Sequence, residues 1–157
     1  MTPDLYGTMR LEPRDVARKA ITAALNLPFY KIDAWGTHLA FYDDKGHRVN
    51  LNNAYGLYAL YKDDVCLYVG ETFNSIYTRV YRFQKELQGL SRDDENHPGA
   101  RKARMNGLES LDGCKVKFIP HDVFMPDVDK IDPEYRQAYG HLPLDEWAAP
   151  LLKSKYN

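Results

Sequence analysis

The stretch YGLYALYKDDVCLYVGET, Tyr55 to Thr72, decides the fold. Two apolar-aromatic runs flank the polar Lys62-Asp63-Asp64, and each run holds a Tyr and a Gly close together. Short runs rich in aromatic and apolar residues on either side of a polar break predict a β-hairpin, with strands over Tyr55–Tyr61 and Val65–Gly70. Side chains alternate across a strand, and residues directly opposite in a hairpin share a face. A two-residue loop, Asp63-Asp64, puts Tyr58 opposite Val69 and sends Tyr58 and Tyr68 to opposite faces. A three-residue loop, Lys62-Asp63-Asp64, puts Tyr58 opposite Tyr68 and Gly56 opposite Gly70. The tight type I′ turn prefers Asn-Gly or Asp-Gly, which this loop lacks, whereas Asp tolerates the left-handed residue that ends a three-residue loop. The favoured register therefore sets the two phenols side by side, next to two glycines where a ligand can approach the backbone.

The following segment, NSIYTRVYRFQKELQGL (74–90), carries Ile76, Val80, Phe83, Leu87 and Leu90 at helical spacing, with Asn74 or Ser75 as cap. On this helix Arg79 falls at the edge of the apolar stripe, Arg82 lies further round and Lys85 is on the far side. Upstream, EPRDVARKAITAALN (12–26) predicts a helix with Pro13 in its first turn and an apolar face of Val16, Ala20, Ile21, Ala24 and Leu25. THLAFYDDKGHRVNLN (37–52) predicts a hairpin turning at Asp44-Lys45-Gly46, with His38 and His47 facing solvent. Downstream come a loop over 91–99, a short basic helix from Ala100, a strand over Cys114–Pro120 and an irregular segment from His121 to Asp132. Two helices, Pro133–Tyr139 and Leu144–Lys155, follow. This order predicts an α+β chain: a small, largely antiparallel sheet flanked by helices.

A chain of 157 residues is expected to form one domain, with residues 1–50 as an N-terminal extension of helix and hairpin and 51–157 as the core. The net charge of -1 carries no overall nucleic-acid signature, but its distribution is uneven. Seven basic residues (Arg79, Arg82, Lys85, Arg92, Arg101, Lys102, Arg104) lie between 79 and 104 against four acidic ones, and an acidic stretch follows from 120 to 146. Cys66 and Cys114 lack the paired spacing of a zinc site and read as reduced core residues. No apolar run approaches the roughly 18 residues of a membrane span, and the N-terminus lacks a signal-peptide core. A cytoplasmic protein with no membrane association is expected.

Gly56-Leu57-Tyr58, Tyr68-Val69-Gly70 and GETFNSIYTR ending at Arg79 resemble the motifs of the GIY-YIG nuclease family. The match is strong over about 30 residues, Gly56 to Phe83. More weakly, EWAAPLLKSKYN is similar to the family's late helix, which makes Glu146 the metal ligand and Asn157 the closing Asn. Asp145 is its neighbour, and Glu134 stands as a fallback. Many members carry a His one turn after the arginine; here that position is Phe83, and a substitute must come from elsewhere, with His97 the candidate.

The resemblance implies a Mg²⁺-dependent endonuclease acting on double-stranded DNA, site-specific and restriction-like. Phage, homing-type, repair and inactive DNA-binding versions of the fold are the alternatives. Tyr58 would take the proton of the attacking water, Tyr68 would hydrogen-bond the water or phosphate, and Arg79 would neutralise the developing charge at phosphorus. Glu146 would hold the metal. Arg82, Lys85, Arg101, Lys102 and Arg104 are the candidate phosphate contacts, joined by Arg14, Arg18 and Lys19 of the first helix. A homodimer would suit cleavage of both strands of a palindrome.

Overall fold

The computed structural model describes residues 2–3, 9–10, 12–24, 27–92, 97–128 and 144–157. In chain order its elements are β1 (Thr2–Pro3), β2 (Met9–Arg10), α1 (Pro13–Ala24), β3 (Tyr30–Trp35), β4 (His38–Tyr42) and β5 (Arg48–Val49). They continue with β6 (Gly56–Lys62), β7 (Val65–Thr72), α2 (Ile76–Leu87), α3 (Pro98–Met105), β8 (Lys115–Pro120), α4 (His121–Val128) and α5 (Leu144–Leu151). The expected helix at 133–139 lies outside the described residues.

The fold is α+β, as expected. Six strands form one antiparallel sheet in the order β5-β4-β3-β8-β6-β7, and β1 pairs with β2 apart from it. The residues read as an N-terminal extension supply three of the six strands, through the pairing of β3 with β8. β6 lies between β8 and β7 and is buried on both faces from Gly56 to Leu60. One face carries Tyr58, Leu60 and Val116 and packs on α2 and α3 through Ile76, Val80, Phe83, Ala100 and Ala103. The other carries Leu57, Ala59, Val69 and Ile119 and packs on α1, α4 and α5. No described helix is long and apolar enough to cross a membrane.

Local chemistry accounts for the helix limits. Ser75 caps α2, its Oγ accepting from the Thr78 N–H at 3.2 Å, and Ile76, Val80, Phe83 and Leu87 form its buried stripe. Gln84 is fully buried in that stripe and fully used. Its Nε2 donates to the Gly36 carbonyl at 2.7 Å and to Ser110 Oγ at 3.1 Å, and its Oε1 accepts from the Leu111 N–H at 2.8 Å. Residues 121–128, expected to be irregular because of their Pro and Asp content, form α4; Phe124 anchors it among Val16, Ala20 and Ala24 of α1. The last helix ends at Leu151 instead of Lys155, because Lys153 turns left-handed (φ 53°) and the tail runs along β7.

The hairpin register differs from the expected one. The loop is the two-residue turn Asp63-Asp64, with Asp63 left-handed at φ 54°, and Lys62 pairs with Val65. A bulge then intervenes: Tyr61 pairs with Cys66, Leu60 pairs with Tyr68, and Leu67 has no partner. A bulge inserts one residue and reverses the alternation beyond it. Tyr58 is therefore opposite Gly70, and Gly56 opposite Thr72. The two phenols still share a face, as diagonal neighbours, with ring centroids 6.3 Å apart.

Tyr58 leans across Gly70 so closely that a Cβ at that position would overlap the phenol ring and hydroxyl. Gly70→Ala is expected to displace Tyr58 and to cost about 1–3 kcal/mol, the usual range for overpacking. Chemical denaturation measures the loss, and unchanged stability would mean that the ring does not lie over Gly70.

Candidate active site

The site is built on the face of the hairpin that α2 and α3 cover. Tyr58 is 3% exposed, whereas Tyr68 is half-buried and reaches a cleft beside α3 and α5. Behind Tyr68 lies Phe83, at 5.5 Å between ring centroids. His97 packs edge-on against both, 4.9 Å from Tyr68 and 5.0 Å from Phe83. Phe83 stands one turn after Arg79 on α2, and the imidazole of His97 packs directly on it.

His97 is not a free loop residue. It caps α3, its Nδ1 accepting from the Ala100 N–H at 3.1 Å. With the Nδ1 lone pair so engaged, the neutral ring carries its proton on Nε2 and acts there as a donor. Burial, with the nearby charges of Arg79 and Arg82, pushes its pKa down to about 4, so the ring is neutral at pH 7.

Burial is also the main influence on the two phenols. It holds the Tyr58 pKa far above the ordinary tyrosine value; Tyr68 and Asp145 reinforce the shift, and the guanidinium of Arg79 opposes it. The pKa of Tyr68 is raised by burial and by Asp145, again against Arg79. Both phenols keep their protons at neutral pH and present O–H donors. Arg79 is exposed one turn before Phe83, and its charge acts on Tyr58, Tyr68 and His97 together.

The carboxylates come from the first turn of α5. Asp145 and Glu146 line a cleft of about 540 Å³ with Tyr68, Lys102 and Asn157. Of the two, Asp145 is the one whose charge reaches both phenols, and Glu146 is exposed. Glu134 lies outside the described residues. Adjacent carboxylates at the edge of an open cleft suit Mg²⁺, a hard cation that keeps several waters and needs only one or two protein oxygens. Among the described residues no group of three His, Cys, Asp or Glu side chains encloses a tighter metal site.

Asn157 holds this cleft against the hairpin. Its Oδ1 accepts from the Val69 N–H at 2.8 Å and its Nδ2 donates to the Val69 carbonyl at 2.7 Å. Ser154 Oγ hydrogen-bonds the same Oδ1, and the N–H groups of Lys155 and Tyr156 donate to the carbonyls of Cys66 and Leu67. The tail thus satisfies the open edge of β7 and ties α5 to the strand that carries Tyr68.

The basic residues fall into two groups. Lys102 faces the cleft, Arg82 is exposed near His97, and Lys85 is half-buried in the last turn of α2. Arg101 and Arg104 instead flank Glu86, which is 3% exposed, with Arg101 Nε at 3.3 Å and Arg104 Nη2 at 3.7 Å from Glu86 Oε1. These two arginines join α3 to α2, which leaves only part of their charge for a polyanion. Lys19, in α1, reaches Asp127 of α4 at 3.5 Å.

Sequence reasoning passed over Glu71, which sits inside the motif segment between Gly70 and Thr72. It points to the face opposite the phenols, where its carboxyl accepts from the Leu144 N–H at the start of α5 and lies 3.9 Å from His121 Nε2. Burial first, and then Asp145, push its pKa up to about 8 against that hydrogen bond. The only signal in the sequence is a carboxylate at a position where β7 is buried.

Between the ordinary value of 4.5 and about 8, folded Glu71 retains a proton that the unfolded chain releases. Its contribution to stability therefore declines as pH rises through that window. Glu71→Gln is expected to flatten the decline, with a melting temperature above wild type near pH 9 and close to it near pH 4. Thermal melts across this range provide the check, and parallel curves would contradict it. In comparisons with protein-family models, curated proteins and solved structures, nothing matches this chain.

Proposed function

We propose that this chain is a Mg²⁺-dependent endonuclease hydrolysing phosphodiester bonds of double-stranded DNA, in the manner of the GIY-YIG nucleases it resembles. One observation carries the reading: the charges of Arg79 and Asp145 both act on the paired phenols of Tyr58 and Tyr68. A guanidinium and a carboxylate whose charges both act on two phenolic donors form a set of groups suited to a phosphate and a divalent cation.

In this scheme a phosphate enters the cleft beside Tyr68, with Lys102 as a further cation at its rim. The Tyr68 hydroxyl donates to a phosphate oxygen. Arg79 offers its fork of N–H donors to the charge that grows at phosphorus, where such donors contribute most. The Nε2–H of His97 adds a neutral donor and does not serve as a base. Burial makes Tyr58 a proton holder in the resting site; to take the proton of the attacking water, the role the resemblance implies, its pKa must fall, which Arg79 and a bound cation would bring about. Mg²⁺ held by Asp145 or Glu146 would stabilise the leaving 3′ oxygen. Site-specific, restriction-like cutting by a homodimer is the form proposed, since two-fold symmetry matches both strands of a palindrome.

The protonated, buried Tyr58 also favours a second reading, a DNA-binding module that does not cut. Supercoiled plasmid with Mg²⁺ separates the two. Arg79→Ala is expected to slow cleavage by about 10²–10³-fold, the range for losing a transition-state donor, and Asp145→Asn to slow it as well, while duplex binding changes far less. Glu146→Gln is expected to cost less than Asp145→Asn. Cleavage by Arg79→Ala at the wild-type rate would defeat the mechanism, and retarded but intact DNA across substrates and divalent metals would leave the binding module. Sequencing the cut ends distinguishes a fixed site from junction-dependent or random cleavage.

A further inference from the structure

The face of the hairpin opposite the Tyr68 ring holds a cavity of about 330 Å³, lined in part by Tyr58 and Tyr61. Its cause is a meeting of small side chains. Ala24 of α1, Ala59 of β6 and Ala148 of α5 converge on the space between the sheet, α1 and α5. Leu57, Val69 and Ile119 supply an apolar floor. The volume is within the range of small-molecule sites, roughly 300–1,000 Å³.

One cation sits at this cavity. Lys117 follows the floor onto β8, paired in register with Ala59, and its Nζ lies 4.6 Å from the centroid of the half-exposed Phe29 ring. Burial lowers its pKa, and no carboxylate pairs with it among the described residues. Lys115, two residues earlier on the same face, lies 5.8 Å from the same ring. The aromatic ring offsets part of the desolvation of Lys117, and an anion would offset more.

We infer that this cavity binds an amphipathic carboxylate, its apolar body between α1, α5 and the sheet and its carboxylate at Lys117. Largely apolar walls with the Lys117 cation at the rim, and Lys115 nearby on the same face, are complementary to a fatty or arylalkyl acid and not to a neutral or cationic amphiphile. The inference does not depend on nuclease activity. It does place a ligand directly behind the strand of Tyr58 and beneath the helix of Asp145.

The test uses the full chain with 1-anilinonaphthalene-8-sulfonate, an aromatic anion, as fluorescent probe. Saturable one-to-one binding is expected, with displacement by decanoate and with roughly tenfold weaker displacement by decanol, the margin of one charge-assisted contact. Lys117→Gln is expected to bring decanoate down to the level of decanol. Ala148→Phe, which fills the cavity, is expected to abolish displaceable probe binding. Absence of saturable binding, equal potency of decanol and decanoate, or wild-type decanoate affinity in Lys117→Gln would each overturn the inference. If Ala148→Phe does not fold, as judged by circular dichroism, the Lys117 substitution at the rim still decides it.

Discussion

Leu67, the one unpaired residue in β7, sets the face that Tyr68 occupies. Strand alternation has a period of two, so a register change of one residue exchanges core for solvent along the rest of the strand. With the Asp63-Asp64 turn alone, Tyr68 would lie opposite Ala59, on the side of α1 and α5. The extra residue reverses that assignment, and Leu67 is itself buried in the same cluster as Tyr58, Phe83 and Tyr68. Every contact of the candidate site follows from this: the paired phenols, the ring of His97 on Tyr68, and the reach of Arg79 from α2.

A second constraint is the open edge of β7. An unpaired edge strand invites pairing with another chain, and proteins cover such edges with loops or short strands. Here the C-terminal tail does so, with Asn157 gripping both backbone groups of Val69. The same arrangement fixes α5, which the edge then holds beside the phenols with Asp145 in its first turn. Glu71 adds a contact at the helix start, accepting from Leu144, and is protonated at neutral pH because burial and Asp145 both disfavour its charge.

Much of the fold was legible because it follows from periodicity. The apolar stripe of α2, its Ser75 cap and the α1 face from Val16 to Ala24 all follow from helical spacing and capping chemistry. The strand at Tyr30–Trp35 was missed because only Ile32 and Ala34 face inward there, between Lys31, Asp33 and an outward Trp35. α4 was missed because Pro126 and its acids mask a short helix held by Phe124. The shared face of Tyr58 and Tyr68 was expected, but from the wrong loop: turn preferences carry no information about a bulge three residues away. Which acidic residue approaches the phenols depends on how α5 docks on β7, and adjacent residues such as Asp145 and Glu146 cannot be separated by spacing alone. His97 was legible as a candidate, but its capping role was not.

The shared face of the two phenols is the central claim, and a nuclear Overhauser experiment on ring-labelled tyrosines tests it most directly. Cross-peaks are predicted between the rings of Tyr58 and Tyr68, and from Tyr68 to His97 and Phe83. Absence of the Tyr58–Tyr68 peak, with Tyr68 instead showing contacts to Ala59 or Ala148, would place the phenols on opposite faces and contradict the account.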